Sequence, residues 1–563
     1  MNDKDPNIRI ILCLCLILLI VFGAFSSCLK NGFVNWDDDN YIVNNTAISS
    51  VSTANLKNIF SSFFVGHYQP LTILSYALDH HFYKLNPLGY HLTNLILHLL
   101  NSLLVFYLIY LLSGNIIVSF ITAILFGLHP LHVESVAWVS ERKDVLYSFF
   151  FLLSCIIYLY YLTKGNKSRY YLLSLFLFLC SLLSKSMAVT LPLLLLLLDY
   201  YLKRKPGKAL FLDKIPYFIL SIISCLIVFF GVILFGGIRQ EAHFSFFSTL
   251  SVASYAIIFY LGKLFLPIKL SCLYPYYNFE YNPTYLYSII AVILLGILVV
   301  LSVKYTRKLL FGMLLFLITL LPTLQFIPNS SVIVADRYTY ISSIGIFFII
   351  ATLIYWLYNK KLKVLALILA IFIISAFSIM TYNRCKVWKD GVMLWSNALA
   401  NYSDSPVIFN NRRLAYNNLG AAYAVKGEHD KAVYAYKKAI EADPYDPESY
   451  NNLGVSLLDI KEYDKAFPAF IKAIELKPDY VKAYSNLCAA CGITGNFKQA
   501  IKVCGKAVEL DPHLASAQYN LSVAYYFDKQ YNLAFAHLES AVKLGWVPDP
   551  GYLKEIEQHK IQK

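Results

Sequence analysis

Three observations predict an all-α membrane protein, a polytopic helical bundle followed by an α-solenoid. Residues 1–381 hold about a dozen apolar stretches near the roughly 20 residues needed to cross a bilayer. Mean hydropathy over the 563 residues is +0.56 even with a polar C-terminal part included, which excludes a soluble reading. Beyond Tyr382 the pattern changes and recurs every 34 residues. Pro444, Pro478 and Pro512 keep this spacing, as do Leu419, Leu453, Leu487 and Leu521. So do the small residues Ala432, Ala466, Ala500 and Ala534, and again Ala439, Ala473, Ala507 and Ala541. Larger residues stand three before the second set, at Tyr436, Phe470, Cys504 and Leu538. This is the tetratricopeptide pattern, two antiparallel helices per unit with small residues where they touch and proline at the exit. In the fourth repeat Trp546 replaces the closing proline, so it shades into a cap. The chain therefore divides into a transmembrane domain (1–381), a degenerate helical connector (382–412) that includes Trp388 to Ala400, four repeats (413–548) and a C-terminal cap or tail (549–563).

The first apolar stretch, Ile8 to Cys28, is too long for a secretory signal and reads as an uncleaved span. Basic loops at Lys164 to Arg169, Lys203 to Lys208, Lys304 to Lys308 and Lys360 to Lys363 mark the cytoplasmic side. The loops Lys30 to Tyr90, His129 to Lys143 and Pro328 to Tyr338, with the repeats, then face outward. An inside N-terminus and an outside C-terminus require an odd number of spans, about 11. The stretch expected to fail to cross is Leu250 to Pro267, interrupted by serines, Gly262 and Lys263; it would be re-entrant or lie on the outer surface.

The formal net charge of +14 lies partly in the inner loops, beside anionic headgroups, and gives no support to nucleic-acid binding. The 11 cysteines lack the spacing of a disulfide scaffold. Cys488 and Cys491 form a CxxC, a pattern shared by metal and redox sites. Their register, with Cys504 in the facing aromatic slot, favours core packing over a disulfide or a metal.

Candidate chemistry concentrates in the outer loops. The first opens Asn31-Gly32-Phe33-Val34-Asn35-Trp36-Asp37-Asp38-Asp39, and adjacent carboxylates raise one another's proton affinity, which suits a general base or a shared cation. The alternative is an acidic cap or a solvated loop. The second loop, His129 to Asp144, packs ionisable groups between two apolar spans, where they are costly. Glu141, Arg142, Lys143 and Asp144 read as a site or as a headgroup-level salt-bridge cluster. His129, His132 and Glu134 lie where a re-entrant loop would project into an outward cavity, and the two histidines suit hydrogen bonding and substrate positioning better than metal binding. In the third loop Asp336 and Arg337 precede an apolar span, an arrangement that suits a phosphate held at the membrane surface or an interfacial anchor. Lys185, between two apolar stretches, is a further candidate for a lipid-phosphate contact.

The runs His67-Tyr68-Gln69-Pro70-Leu71-Thr72, His91-Leu92-Thr93-Asn94, His129 to Asp144, Lys185 to Tyr200 and Asp336 to Tyr340 resemble the transmembrane and tetratricopeptide-repeat O-mannosyltransferase family and its bacterial relatives. The resemblance covers essentially the whole chain, and the His129 to Asp144 block discriminates best. It implies a GT-C glycosyltransferase, which takes a sugar, mannose favoured, from a polyprenyl-phosphate donor on the non-cytoplasmic face. The acidic pair then maps to Asp37 and Asp38, with Asp37 the catalytic base; Asp39 stands where the family often carries proline. Arg337, Arg142 and Lys185 would hold the donor phosphate, and His129, His132, Glu134 and Asp336 would position substrate. No metal ligand set is assigned. The carboxylate run would suit a divalent cation, whereas arginine and lysine alone can handle a lipid phosphate. Partners are the sugar donor, the bilayer, and a protein acceptor or partner on the repeats. The expected place is a bacterial plasma membrane, with the repeats outside. A GT-C enzyme acting on a glycan or lipid, and a non-enzymatic repeat scaffold, are the alternatives; ionisable residues clustered at span ends rather than at mid-membrane count against a transporter.

Overall fold

The computed structural model describes residues 6–561 apart from Asn166, Pro206, 235–245, 275–282, 325–331, Lys361 and 402–408. It separates into two compact units, Met1–Ser403 and Asp404–Lys563. Among the described residues both are helical, and the only β pairing is an isolated bridge between Phe64 and His67.

The first unit is a membrane bundle. Seven described helices are long and apolar enough to span: Asn7–Lys30, Pro87–Ser113, Val139–Thr163, Leu210–Leu234, Phe247–Phe265, Thr284–Ser302 and Lys363–Val387. An eighth results if Ile116–Leu128 and Pro130–Ala137 are joined across a 48° bend. Shorter apolar helices cover Ser168–Ser184, Ser186–Tyr201 and Ser343–Asn359. Val364, Ile371, Phe372 and Ile379 are all exposed on the Lys363–Val387 helix, apolar surface that only lipid or another apolar partner can cover. Where helices meet, small residues let them approach: a Cβ on Gly312 or Gly345 would collide with the other's carbonyl oxygen.

The breaks are as informative as the helices. The Leu250 to Pro267 stretch forms a continuous helix, Phe246–Phe265, so its serines, Gly262 and Lys263 do not interrupt it as expected. The sharp bend falls instead at His129, whose backbone is extended (φ −70°, ψ 130°) ahead of Pro130. Proline disfavours a helical predecessor and lacks the N–H that would continue the ladder. A second break lies at Lys185 (φ −156°, ψ 132°), between Ser168–Ser184 and a 3-10 turn that leads into Leu191–Tyr201. Both breaks open toward the same end of the bundle as the 31–69 and 335–340 loops. At the opposite end Asp199, Arg204, Asp213 and Lys214 form a buried ion-pair network, and Tyr158 donates to Asp199 at 2.9 Å.

The second unit carries the repeats as paired helices: Phe409–Val425 with His429–Ala442, Pro447–Asp459 with Tyr463–Leu476, Val481–Ile493 with Phe497–Leu510, and Ala515–Phe527 with Tyr531–Lys543. Pro550–Ile561 follows. All eight alanines of the two small-residue series are fully buried. Gly420 and Gly454 face the aromatic slot, and a Cβ at either would lie 2.7 Å or 2.6 Å from the ring of Tyr436 or Phe470. In the third repeat those two slots hold Cys488 and Cys504, with Cα atoms 5.3 Å apart, joined as a disulfide. That corrects the expectation of packing without a bond for this pair; Cys491 does pack as a buried free thiol. The turn inside each repeat needs a left-handed residue, at Gly427, Lys461, Gly495 and Lys529 (φ 75°, 63°, 77° and 63°).

Glycine adopts that conformation freely and lysine does not. Lys461→Gly and Lys529→Gly are each expected to stabilise residues 404–563 by about 0.5–1 kcal/mol, the left-handed penalty less the added chain entropy. Urea unfolding of that unit checks this, and a lower midpoint in both variants would contradict it.

Candidate active site

The loop after the first span is fixed by its carboxylates and by the segment that leaves the last span. Asp38 is 1% exposed and accepts hydrogen bonds from the Val34 and Ser140 backbone N–H groups, each at 2.9 Å, and from the Ser140 hydroxyl. Both its oxygens are thereby occupied. Burial pushes its pKa up to about 7 against those three donors. Gly32 donates to the Lys389 carbonyl at 2.8 Å, the Asn31 amide to the Cys385 carbonyl at 3.0 Å, and the Trp395 indole to Asn35 Oδ1 at 3.2 Å. Trp36 stacks on Trp138 at 4.7 Å and packs on Trp395 at 5.1 Å.

This framework leaves Asp37 half-buried, with no hydrogen bond to its carboxylate among the described residues. Burial raises its pKa, and the positive charges of Lys143 and Arg337 act in the opposite direction. Asp39 is also raised by burial, but no charged group is among its causes.

Beside Asp37 three cations converge on one carboxylate. Lys143 Nζ lies 3.2 Å, Lys185 Nζ 3.4 Å and Arg337 Nε 3.3 Å from Glu141. Lys185 also pairs with Asp144 at 2.6 Å, and Arg337 with Glu134. The cationic side chains keep 11%, 14% and 12% of their surface exposed, while Glu134, Glu141 and Asp144 keep 1–2%. Three positive heads thus form the accessible layer over three buried carboxylates. The Arg337 guanidinium also lies 5.5 Å from the centre of the Trp138 ring, and Lys143 Nζ 5.1 Å from that of Tyr41. An arrangement of this kind, with a water-poor floor and donors on one side, can hold an anionic oxygen.

Several sequence-predicted site residues lie elsewhere or do other work. Arg142 has no exposed surface; it pairs with Asp79 at 2.5 Å and donates to Asn94 Oδ1 (2.8 Å), the Tyr90 carbonyl (2.9 Å) and the Ser75 carbonyl (3.2 Å). With its donors committed inside the bundle, it ties helices together and does not face the cation layer. His129 and His132 are fully buried. His129 Nε2 meets the Leu264 carbonyl at 3.1 Å while its Nδ1 accepts from the Leu131 N–H, and His132 contacts the Phe126 carbonyl and the Ser343 hydroxyl at 2.7 and 3.1 Å. Both rings hold the bend closed and have no nitrogen to spare for a substrate. Asp336 is buried, accepts from Tyr274 at 2.5 Å, and lies 3.9 Å from Arg384; burial pushes it up to about 6. It anchors the turn that presents Arg337. Glu134 is buried against Arg337, with its second oxygen lacking a hydrogen bond. Sequence reasoning missed the central place of Glu141 and the membership of Lys143, although both sit in the block it singled out. Among the described residues no three His, Cys, Asp or Glu side chains are grouped as a metal site.

The fold defines a multi-pass membrane protein that carries tetratricopeptide repeats, modules that bind protein partners. The tetratricopeptide-repeat family model matches residues 414–446 and 447–480, and a second tetratricopeptide-repeat model matches 481–514. The expected resemblance is borne out. A Caenorhabditis elegans protein O-mannosyl-transferase is 25% identical over 473 residues, 79% of this chain and 64% of that protein. The Homo sapiens protein O-mannosyl-transferase TMTC3 is 24% identical over 489 residues, 76% of this chain and 52% of that protein. The chain thus spans between half and two thirds of the length of these relatives. Locally the likeness rises to 36% over 133 residues with the Mus musculus protein O-mannosyl-transferase TMTC1, 22% of this chain and 14% of that one. Among solved structures, MamA is similar with 21% identity and a TM-score of 0.24, covering 31% of this chain and 90% of its own.

The role of Arg142 is open to a stability test. Arg142→Met leaves Asp79 charged and unpaired, a change that costs about 3–5 kcal/mol for a buried pair. The double variant Arg142→Met with Asp79→Asn is expected to recover much of that loss. Thermal unfolding of the detergent-solubilised protein reads both, and equal midpoints for the wild type and the single variant would remove the structural role.

Proposed function

We propose that this protein is a membrane glycosyltransferase that moves a sugar, mannose favoured, from a polyprenyl-phosphate donor to serine or threonine hydroxyls of a protein acceptor on the non-cytoplasmic face. The observation that carries this reading is the half-buried Asp37, whose carboxylate has no hydrogen bond among the described residues, beside the layer of Lys143, Lys185 and Arg337. The names of the relatives support the reaction class.

In the proposed mechanism the acceptor oxygen attacks the anomeric carbon as the bond from that carbon to the phosphate oxygen breaks. The hydroxyl proton passes to Asp37, whose raised proton affinity suits a base facing a weakly acidic alcohol. The leaving group departs as polyprenyl phosphate with the bonding electron pair, and its growing charge is met by Lys143, Lys185 and Arg337. Attack opposite the phosphate inverts the anomeric centre. The three cations are balanced by Glu134, Glu141 and Asp144, so the layer suits a singly charged phosphodiester better than a more highly charged group. Asp38 fixes the loop that carries the base, Glu134 and Asp336 orient Arg337, and Arg142, His129 and His132 hold the surrounding helices.

The outward side is inferred from the basic loops at the far end of the bundle, and a bacterial plasma membrane from the family's bacterial relatives. The repeats would bring an acceptor or partner protein.

Transfer from radiolabelled polyprenyl-phosphate mannose to membrane proteins is the direct assay. Asp37→Asn should lower turnover at least about 100-fold with donor KM little changed. Asp38→Asn should instead lower stability, because its amide turns a donor toward the Val34 N–H. Turnover of the wild type should fall as the pH drops through an inflection above the ordinary carboxylate value, since protonated Asp37 cannot act as base. Full labelling by the Asp37→Asn protein would end the proposal of a base at this position; a non-enzymatic scaffold predicts no labelling by any form.

A further inference from the structure

The segment Phe64-Val65-Gly66-His67 has no part in the mechanism above. Phe64 and His67 exchange backbone hydrogen bonds of 2.8 and 2.9 Å, closing a two-residue turn. Both central residues are left-handed, Val65 at φ 50° and Gly66 at φ 75°, the pairing of a type I′ hairpin. Glycine adopts this conformation readily, whereas a β-branched side chain is strained there. Strain of this kind persists only where the surroundings impose it.

The surroundings do impose it. A Cβ on Gly231 would lie 2.8 Å from the Phe63 ring and 3.3 Å from the Gly66 carbonyl, so that helix closes directly on the turn. On the other side Tyr68 donates to the Phe60 carbonyl at 2.9 Å, Gln69 is buried, and Pro70 opens the next helix. His67 is therefore presented by a rigid frame.

Its imidazole is solvent-exposed, and among the described residues neither ring nitrogen has a hydrogen-bond partner. His91, His98, His129 and His132 each bond a backbone carbonyl. The turn nevertheless stands beside both lysines: the Tyr41 hydroxyl donates to the Phe64 carbonyl at 3.5 Å with Lys143 Nζ 5.1 Å from the Tyr41 ring centre, and Thr72, just past Pro70, donates to the Ser184 carbonyl at 2.9 Å, next to Lys185. Desolvation by the surrounding protein and the charges of Lys143 and Lys185 lower the His67 pKa to about 4. Lys143 acts on Asp37 as well, so His67 and Asp37 share one neighbouring cation.

We propose that His67 is a further donor-binding residue, whose uncharged imidazole donates its N–H to an oxygen of the phosphate ester held by Lys143 and Lys185. The assignment rests on the proposed function for the identity of the donor, and on the turn, the free ring and the two lysines for the place. A rigid neutral donor adds a hydrogen bond without adding a fourth charge to a layer already balanced by carboxylates.

The test uses the full-length protein in detergent and farnesyl phosphate as probe, with farnesol and inorganic phosphate in parallel arms, read by tryptophan fluorescence. His67→Ala should weaken farnesyl phosphate binding on the order of tenfold, the worth of one hydrogen bond to a charged group. His67→Gln, which keeps an N–H donor, should recover much of the loss, and farnesol should be indifferent to both. Inorganic phosphate that binds with the same His67 dependence would place recognition in the phosphate alone, whereas a response confined to farnesyl phosphate would require the chain too. In the transfer assay His67→Ala should raise donor KM and leave kcat nearly unchanged, unlike Asp37→Asn. Equal farnesyl phosphate affinity in wild type and His67→Ala, or no binding by the wild type, would overturn the assignment. Intact His67-dependent binding without any sugar transfer would instead retain this site and remove the glycosyltransferase reading.

Discussion

Everything at the end of the bundle that carries the Asp37 loop depends on one buried carboxylate. Glu141 is 2% exposed, so its charge has to be met by protein, and Lys143, Lys185 and Arg337 meet it from three different segments. Lys143 comes from the same helix start, Lys185 from the break between two short helices, and Arg337 from the turn before Ser343–Asn359. Removing any one of those segments would leave Glu141 underpaired. The demand of one anion in a poorly polarisable interior thus gathers the cations that a ligand would meet. It also explains why they are accessible only at their tips.

The neighbouring residues show how closely function and structure are interleaved. Arg142 follows Glu141 in the chain but points into the bundle, where Asp79, Asn94 and two carbonyls take its donors. Asp37 and Asp38 divide in the same way: one has both oxygens occupied, the other has none bonded among the described residues. Successive residues on a helix start or tight turn are rotated by about 100°, so adjacent ionisable groups face different surroundings. The block from His129 to Asp144 could be singled out from sequence as a candidate site, but which of its charges stay accessible and which turn into the bundle could not.

The repeats were legible almost residue by residue, because a 34-residue register fixes which alanines, glycines and rings meet, and every alanine in both series is buried. The exception is Cys488 with Cys504, where two slots filled by glycine and a ring in earlier repeats hold a bonded pair. The membrane part was legible as apolar length but not as geometry. Serines and a lysine looked like interruptions at Leu250 to Pro267 and proved compatible with a helix, since side-chain hydroxyls can bond within the turn, as Ser251 does to the Phe247 carbonyl at 2.8 Å. The histidines read as hydrogen-bonding and substrate-positioning groups, and they do hydrogen-bond, but to the Leu264 and Phe126 backbone carbonyls. The left-handed turn that presents His67 carries almost no sequence signal beyond one glycine.

The hydrogen bond from Trp395 to Asn35 joins residues 360 apart in sequence, and Asn31 and Gly32 lean on Cys385 and Lys389 in the same way. These contacts set an order of events during synthesis. The loop bearing Asp37 and Asp38 is made before the helices that follow it, yet the wall it rests on is the last piece of the membrane unit to be made. A nascent chain halted before residue 385 would hold every other helix of the bundle and still have this loop unsupported. Completion of the site is thereby timed to the moment when translation passes from the membrane unit into the repeats.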